Sequence, residues 1–334
     1  MLDEHEIIDM LKLRGKDQEE LFAKAREERR RVFGNRVVLR GVTEIGNTCR
    51  VNCEFCPMRR DNTRDNATFL ADEKTLIESA EDIRDSGINV VFFQAGEIPQ
   101  TTRVVGSALP AITKMFDGDV EILLNLGNKK RSEYEWLREQ GATSYIIKHE
   151  TSDPDLNLRM RHETLESRLK CMSDLLELGF KVGSGGIIGL PGQTLESIAR
   201  DIILARDMGI HMCSFSPFVP APETPLAHLA PGDVDTTLNA LAASRLVSPD
   251  WLIPSVSALA KNRKDGQKSG YLAGANVMTV NFTPKRDSER YLIYGKNRFV
   301  VRPVYGSGLL AELGLVPGRS VFAGKEALPA LTRN

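Results

Sequence analysis

Three cysteines spaced C-x3-C-x2-C, in Cys49-Arg50-Val51-Asn52-Cys53-Glu54-Phe55-Cys56, follow closely on the apolar run Val37-Val38-Leu39-Arg40-Gly41-Val42. Three of the chain's five cysteines therefore sit on one short loop. Three thiolates so placed can hold three irons of a cubane [4Fe–4S] cluster, which leaves the fourth iron without a protein ligand. A metal site one ligand short can bind a small molecule directly, whereas closed four-ligand sites are usually structural. The spacing argues for catalysis. A structural zinc site would need Cys171, Cys213 or a histidine as its fourth ligand, and such sites typically pair a short cysteine spacing with a second ligand pair. No second C-x-x-C and no H-x3-H pair exists in the chain. A disulfide framework fits less well still, because five cysteines in 334 residues do not resemble a stapled secreted scaffold.

With 41% hydrophobic and 27% charged residues, the chain can bury a large core as two ordinary domains or one α/β barrel. Net charge is −1 with both signs interspersed, so neither nucleic acid nor a membrane is expected as a partner. The start, Met1-Leu2-Asp3-Glu4-His5-Glu6, is acidic and lacks an apolar signal region, and no run approaches the roughly 18 apolar residues of a membrane span. A cytoplasmic location is expected, where reducing conditions keep the thiols unoxidised.

Residues 3 to 33 are polar and helix-forming, and read as one or two helices covering a barrel end. After them, short apolar runs alternate with longer amphipathic segments. The runs are 37–45, Asn89 to Phe93, Val120 to Leu124, Ser144 to Ile147, Val182 to Ile188, His211 to Phe215, Leu252 to Pro254 and Leu272 to Met278. Runs such as Val90 to Phe93 do not alternate with polar residues, which is the pattern of parallel strands covered on both faces. Leu165, Leu169, Met172 and Leu176 line one helix face, as do Leu195, Ile198, Ile202 and Ala205, and Gly179 and Gly209 sit where those helices should stop. Eight strand-like runs separated by helices point to a (β/α)8 TIM barrel, complete or nearly so, rather than a doubly wound sheet. We expect a helical extension over residues 1–34, the barrel over 35–300 and a tail over 301–334 packed on it. The active site then lies at the C-terminal ends of the strands, where the cysteine loop opens.

The cysteine spacing, with Phe55 beside the third cysteine, resembles that of the radical S-adenosylmethionine (radical SAM) superfamily. The resemblance implies that the methionine amino and carboxylate groups chelate the open iron. It further implies that an electron delivered through the cluster, from reduced flavodoxin or ferredoxin, cleaves the sulfonium to a 5′-deoxyadenosyl radical that abstracts hydrogen from a small-molecule substrate. Cys56-Pro-Met-Arg-Arg-Asp-Asn62, His149-Glu150-Thr151, Gly189-Leu-Pro-Gly-Gln-Thr194, Pro217-Phe-Val-Pro220, Glu223-Thr-Pro-Leu226, Ala273-Gly-Ala-Asn276 and Asn281-Phe-Thr-Pro284 together look like the branch holding an [FeFe]-hydrogenase maturase, methylornithine synthase and, more distantly, biotin synthase.

Position by position, the resemblance implies that Cys49, Cys53 and Cys56 bind the cluster and that Phe55 lies near the adenine. Ala95-Gly96-Glu97 resembles a Gly-Gly-Glu strand end contacting the methionine amino group, with alanine replacing the first glycine. Glu150 should bond the ribose or methionine part, and Arg168 should pair with the methionine carboxylate, which a guanidinium can meet bidentately. Ile188 and Gly189 are expected beside the adenosyl group, whose close packing would explain the glycines from Gly183 to Gly192. A Rossmann reading of those glycines fails by one residue of spacing. Candidate substrate contacts are Asn125, Ser216, Ser255, Ser257 and Asn276.

Sulfur insertion of the biotin or lipoyl synthase kind uses a second cluster. Only Cys171 and Cys213 remain for one, and Cys171 reads as a buried structural thiol. Chemistry with a single cluster on an amino-acid-like substrate is left: first a methylornithine synthase-like rearrangement or C–C fragmentation, then a maturase-like reaction on an amino-acid-derived precursor. The non-enzymatic alternative is an iron–sulfur or zinc scaffold.

Overall fold

The computed structural model describes residues 2–64, 67–295 and 298–323. Strand Arg36–Gly46 is its organising element. It pairs in parallel with Val90–Ala95 on one side, through Gly41↔Val91, and with Val277–Asn281 on the other, through Val38↔Val277. Glu121–Asn125, Ser144–Ile146, Lys181–Ser184 and Met212–Cys213 follow in chain order, each parallel to its predecessor. Two isolated parallel bridges, Met212↔Leu252 and Pro254↔Val277, close the ring. The fold is the expected (β/α)8 barrel.

Both faces of the strands are buried. Val38, Val42, Val90, Phe92, Leu123, Met212 and Leu252 fill the barrel interior. Their neighbours Val37, Ile45, Val91, Phe93, Ile122 and Leu124 pack outward into the main core beneath the helices. This is why the strands read as unbroken apolar runs, and period-2 geometry then sorts alternate residues to the two sides. Gly41 marks one tight contact, since a Cβ there would lie 2.5 Å from Ile83 on helix Glu73–Asp85. Gly179 and Gly209, at φ +78 and +71, end helices Leu165–Glu177 and Leu195–Asp207 as their positions predict.

Four expectations change in detail. Helices Glu4–Lys12 and Gly15–Phe33 do not lie over a barrel end; they extend the outer layer, against helices Leu195–Asp207 and Val234–Val247. Val32 and Phe33, at the end of the second helix, reach the lower end of the interior and pack there with Val38 and Val321. The run Val182 to Ile188 is broken at Gly185, which sits at φ +137 with no room for a Cβ, 2.0 Å from Ser214 O. Beyond the break, Ile187–Ile188 pairs with Ser216–Pro217 as a separate small sheet. The last strand is Val277–Asn281 rather than Leu272 to Met278, because helix Gly266–Leu272 and the left-handed Gly274 take up the start of that run. Finally, Val316–Gly318 adds a strand beside Arg36–Val38, and Ser320 hydrogen-bonds Asn89 and Glu121 at the barrel's lower end. Residues 324–334 of the expected tail lie outside the described residues. Among those described, no helix is long and apolar enough to cross a membrane.

Arg245 replaces ladder bonds where the ring is weakest. Fully buried on helix Val234–Val247, it donates to Gly274 O at 3.2 Å, Pro249 O at 2.8 Å, Trp251 O at 2.7 Å and Asn276 Oδ1 at 2.8 Å. Asn276 Oδ1 also accepts from Ile253 N at 2.8 Å. Asn276, expected at the substrate, is thus a fully buried wall residue. Arg245→Met would remove a buried charge but orphan three carbonyls, each costing about 1–3 kcal/mol. A loss of about 3 kcal/mol in urea unfolding is expected, and no loss would show the closure to be held otherwise.

Candidate active site

A cavity of about 370 Å³ opens at the C-terminal end of the ring, and Cys49, Cys53 and Cys56 all line it. The loop that carries them is pressed onto the end of the second strand. A Cβ at Gly96 would lie 2.1 Å from Thr48 O, so only glycine permits the approach. Glu97 N donates to Cys49 Sγ at 3.3 Å, and Arg50 N donates to Glu97 O at 2.9 Å. The far side of the loop is tied down by Glu54 N donating to Met160 O at 2.8 Å.

Burial pushes all three thiols up: Cys53 to about 11, with Arg161 opposing the shift, and Cys56 further, with the other two thiols adding to it. Cys49 is raised less cleanly, since the Val51 and Glu97 amides favour its thiolate. Thiols held protonated at neutral pH are turned into ligands by metal, which displaces the protons. Among the described residues, no three Cys, His, Asp or Glu side chains converge on a point suited to a single ion. Three thiols lining one cavity match the three-cysteine donor set that leaves one iron of a cubane open, so the donor set suits the cluster.

Around the thiols stand the other expected residues. Phe55, Ala95, Gly96, Glu97, Glu150 and Arg168 all line the cavity. Glu97, only 4% exposed, forks between the Arg50 guanidinium and Asn128 N at 2.7 Å. Arg168 donates to Asn128 Oδ1 at 2.7 Å while its buried Nε has no partner. Glu150 is held at φ +68, and its Oε2 lies 3.4 Å from Lys148 Nζ without forming a hydrogen bond. These unused polar atoms, buried beside the thiols, suit a polar ligand.

Ile188 and Gly189 do not line the cavity; their neighbour Ile187 does. Ile188 packs into the main core, and Gly189, at φ +96, is needed because a Cβ would meet Gly232 Cα at 2.5 Å. Gly186 is likewise fitted against Glu150 O. Close backbone packing explains these glycines, and of the series only Gly183 faces the cavity. Asn125, Ser216, Ser255 and Ser257 do line it, whereas Asn276 does not. Cys171 is buried, with Sγ 3.7 Å from Lys129 O, and Cys213 is buried on the sixth strand; neither lines the cavity.

Sequence reasoning missed several wall residues. Arg161 is buried with Nη1 3.8 Å from Cys53 Sγ. Tyr291, Tyr294 and Arg298 come from the segment after the last strand; Arg298 forks onto Glu44, and Gln94 Nε2 donates to Tyr291 OH at 2.8 Å. Arg40 projects inward from the first strand, 2% exposed, with Nε unpartnered and Nη2 3.0 Å from Met212 Sδ. Burial lowers it to about 10, although Glu121 opposes the shift. The only available signal was a lone arginine in an apolar strand.

The Radical SAM superfamily model matches residues 43–205. The [FeFe] hydrogenase maturase subunit HydE of Thermotoga maritima is 35% identical over 278 residues, 83% of this chain and 79% of that protein. A biotin synthase of Mycobacterium bovis is 26% identical over 284 residues, 84% and 80% of the two chains. The crystal structure of methylornithine synthase (PylB) superposes with a TM-score of 0.84 at 22% identity, covering 96% of this chain and 95% of that one. Similarity to HydE over most of both chains, together with the cysteine-lined cavity of the barrel, shows that the chain belongs to the radical SAM superfamily, enzymes that use a [4Fe–4S] cluster and S-adenosylmethionine.

Proposed function

We propose that Cys49, Cys53 and Cys56 hold the cluster, that Glu97, Glu150 and Arg168 hold S-adenosylmethionine against it, and that a small anionic, amino-acid-like substrate occupies the cavity below. When bound, the cofactors supply one-electron reductive cleavage and hydrogen-atom abstraction. The observation that carries the reading is the convergence of three thiols, two acids and a half-satisfied buried guanidinium on one cavity wall. Arg168 Nε offers a donor to a carboxylate, while Glu150 Oε2 offers an acceptor to a hydroxyl or ammonium. Glu97, already bridging Arg50 and Asn128, orients the loop end and keeps acceptor capacity for an ammonium. Ala95 and Gly96 leave the strand end without side-chain bulk, and Phe55 offers a ring face to the adenine.

Arg40 supports the anionic substrate. An isolated buried guanidinium is costly unless paired, and the nearest acid, Glu121, is already engaged by Ser144 and Ser320 hydroxyls. Asn125, Ser216, Ser255 and Ser257 supply neutral polar contacts around the same space. The 35% identity to HydE over most of both chains favours a maturase-like reaction on an amino-acid-derived precursor. It thereby moves ahead of the methylornithine synthase-like rearrangement, where the likeness is one of fold.

Anaerobic reconstitution should load about four irons per chain, as one cubane requires. Alanine at Cys49, Cys53 or Cys56 should abolish iron retention, and alanine at Cys171 or Cys213 should not. S-adenosylmethionine with dithionite should then yield 5′-deoxyadenosine; none formed from a fully loaded protein would favour a scaffold. Arg168→Lys keeps the charge but loses the fork, and a charge-assisted bond is worth about 1.5–3 kcal/mol. A roughly ten- to hundredfold loss of S-adenosylmethionine affinity is expected, with iron content unchanged. Unaltered affinity would make Arg168 a purely structural residue.

A further inference from the structure

Behind the cavity wall, His149 and Asp201 face one another with no solvent exposure. His149 Nε2 lies 3.8 Å from Asp201 Oδ1, and among the described residues neither Nε2 nor Asp201 Oδ2 has a hydrogen-bond partner. The neighbouring network sets the tautomer. Ser184 Oγ donates to Ile147 O at 3.0 Å and accepts His149 N–H at 3.2 Å, so Nδ1, 2.8 Å from the same oxygen, is the protonated ring nitrogen. Nε2 therefore turns a lone pair toward Asp201, an arrangement that a charged carboxylate disfavours and a protonated carboxyl does not.

This pair braces both sides of Glu150. Asp201 Oδ1 accepts Ser152 N–H at 2.5 Å, just after Glu150, while His149 stands just before it. Asn157 Nδ2 ties His149 O at 2.6 Å to Thr151 O at 3.0 Å. Between these anchors Glu150 adopts its left-handed φ of +68, a conformation that persists only where its surroundings enforce it. We propose that Asp201 is a positioning residue for S-adenosylmethionine: protonated opposite His149 Nε2, its carboxyl braces the loop that aims Glu150 into the cavity. The proposal rests on the reading of Glu150 as a cofactor contact.

The charged groups facing the pair are Lys148 and Glu150 from its own loop, Arg168 from helix Leu165–Glu177, Arg200 from Asp201's helix, and the Cys213 thiol from the sixth strand. Burial raises Asp201 to about 7, against the hydrogen bonds from Ser152, and lowers His149 to about 3, with Lys148 and Arg168 adding to that shift. Near neutrality the proton sits on the carboxyl and the pair is uncharged. Raising the pH through 7 removes it, sets a carboxylate against a lone pair and loosens the loop. Folding raises Asp201 and lowers His149, so from about pH 4 to about 6.5 the stability lost through the acid is opposed by stability gained through the imidazole, and only the acid's loss continues to about 7.

The test is S-adenosylmethionine affinity against pH in the cluster-loaded protein. Asp201→Asn keeps an acceptor for Ser152 and gives His149 Nε2 a permanent N–H, so it mimics the protonated acid. The unmodified protein should lose affinity roughly tenfold between pH 6 and 8, as loss of a binding-competent form requires. Asp201→Asn should bind as tightly at pH 6 and lack that loss, and Asp201→Ala should bind weakly at both. The ligand's own amino group titrates equally in all three and cancels from the comparison. Identical pH profiles for the unmodified and Asn proteins, with Glu150→Gln still weakening binding, would overturn the role of the Asp201 proton. Full affinity in Glu150→Gln would instead overturn the reading of Glu150 and the proposal with it.

Discussion

The cysteine loop can approach the second strand only because Gly96 has no side chain, and the rest of the site depends on that approach. With Thr48 O lying 2.1 Å from where a Cβ would stand, any larger residue forces the loop outward. The same approach places Glu97 N on Cys49 Sγ and lets Arg50 meet Glu97. From Arg50 the charges continue through Glu163 at 3.0 Å to Arg161 at 3.1 Å, and Arg161 returns to Cys53. Two thiols are thereby linked, through alternating charges, to the second strand and to the connection between helices Pro154–Arg161 and Leu165–Glu177. Because several members are buried, removing one partner leaves an uncompensated charge, which is strongly destabilising.

That chain also sets the local field. Arg161 and Arg168 are buried beside thiols that desolvation alone would keep neutral. Cations so placed favour thiolates and negatively charged groups among them. Lower in the barrel, Arg40 repeats the arrangement, with no acid among the described residues within ion-pair distance. The cavity thus offers positive charge both at its mouth and deep inside, separated by apolar residues such as Phe92 and Ile146. A ligand carrying an anionic group at each level matches this distribution.

The first six strands were legible because both faces are buried and the apolar runs are continuous. The seventh segment was marked only by Leu252 to Pro254, and the structure shows why: single bridges hold it, and Arg245 and Asn276 supply the remaining bonds through side chains. No periodicity signals such a substitution. Asn276 looked functional from its motif and proved to be part of this closure. That the cysteines, Glu97, Glu150 and Arg168 line the cavity was legible from motif and from their places beside strand ends. Arg40, Arg161 and Asn128 were not, because their importance comes from three-dimensional proximity between residues far apart in the chain. The glycines that follow the fifth strand, Gly185, Gly186 and Gly189, misled for a related reason: their neighbours are Ser214, Glu150 and Gly232 of the protein itself.

If three cysteines hold the cluster, one iron is left open to S-adenosylmethionine. Electron paramagnetic resonance of the dithionite-reduced, reconstituted protein tests it directly, since a ligand entering the iron's coordination sphere changes the cluster's spectrum. The account predicts one cubane signal whose g-values shift when S-adenosylmethionine is added. A signal that stays unchanged at saturating S-adenosylmethionine would mean that no iron is open to it, and would contradict the claim.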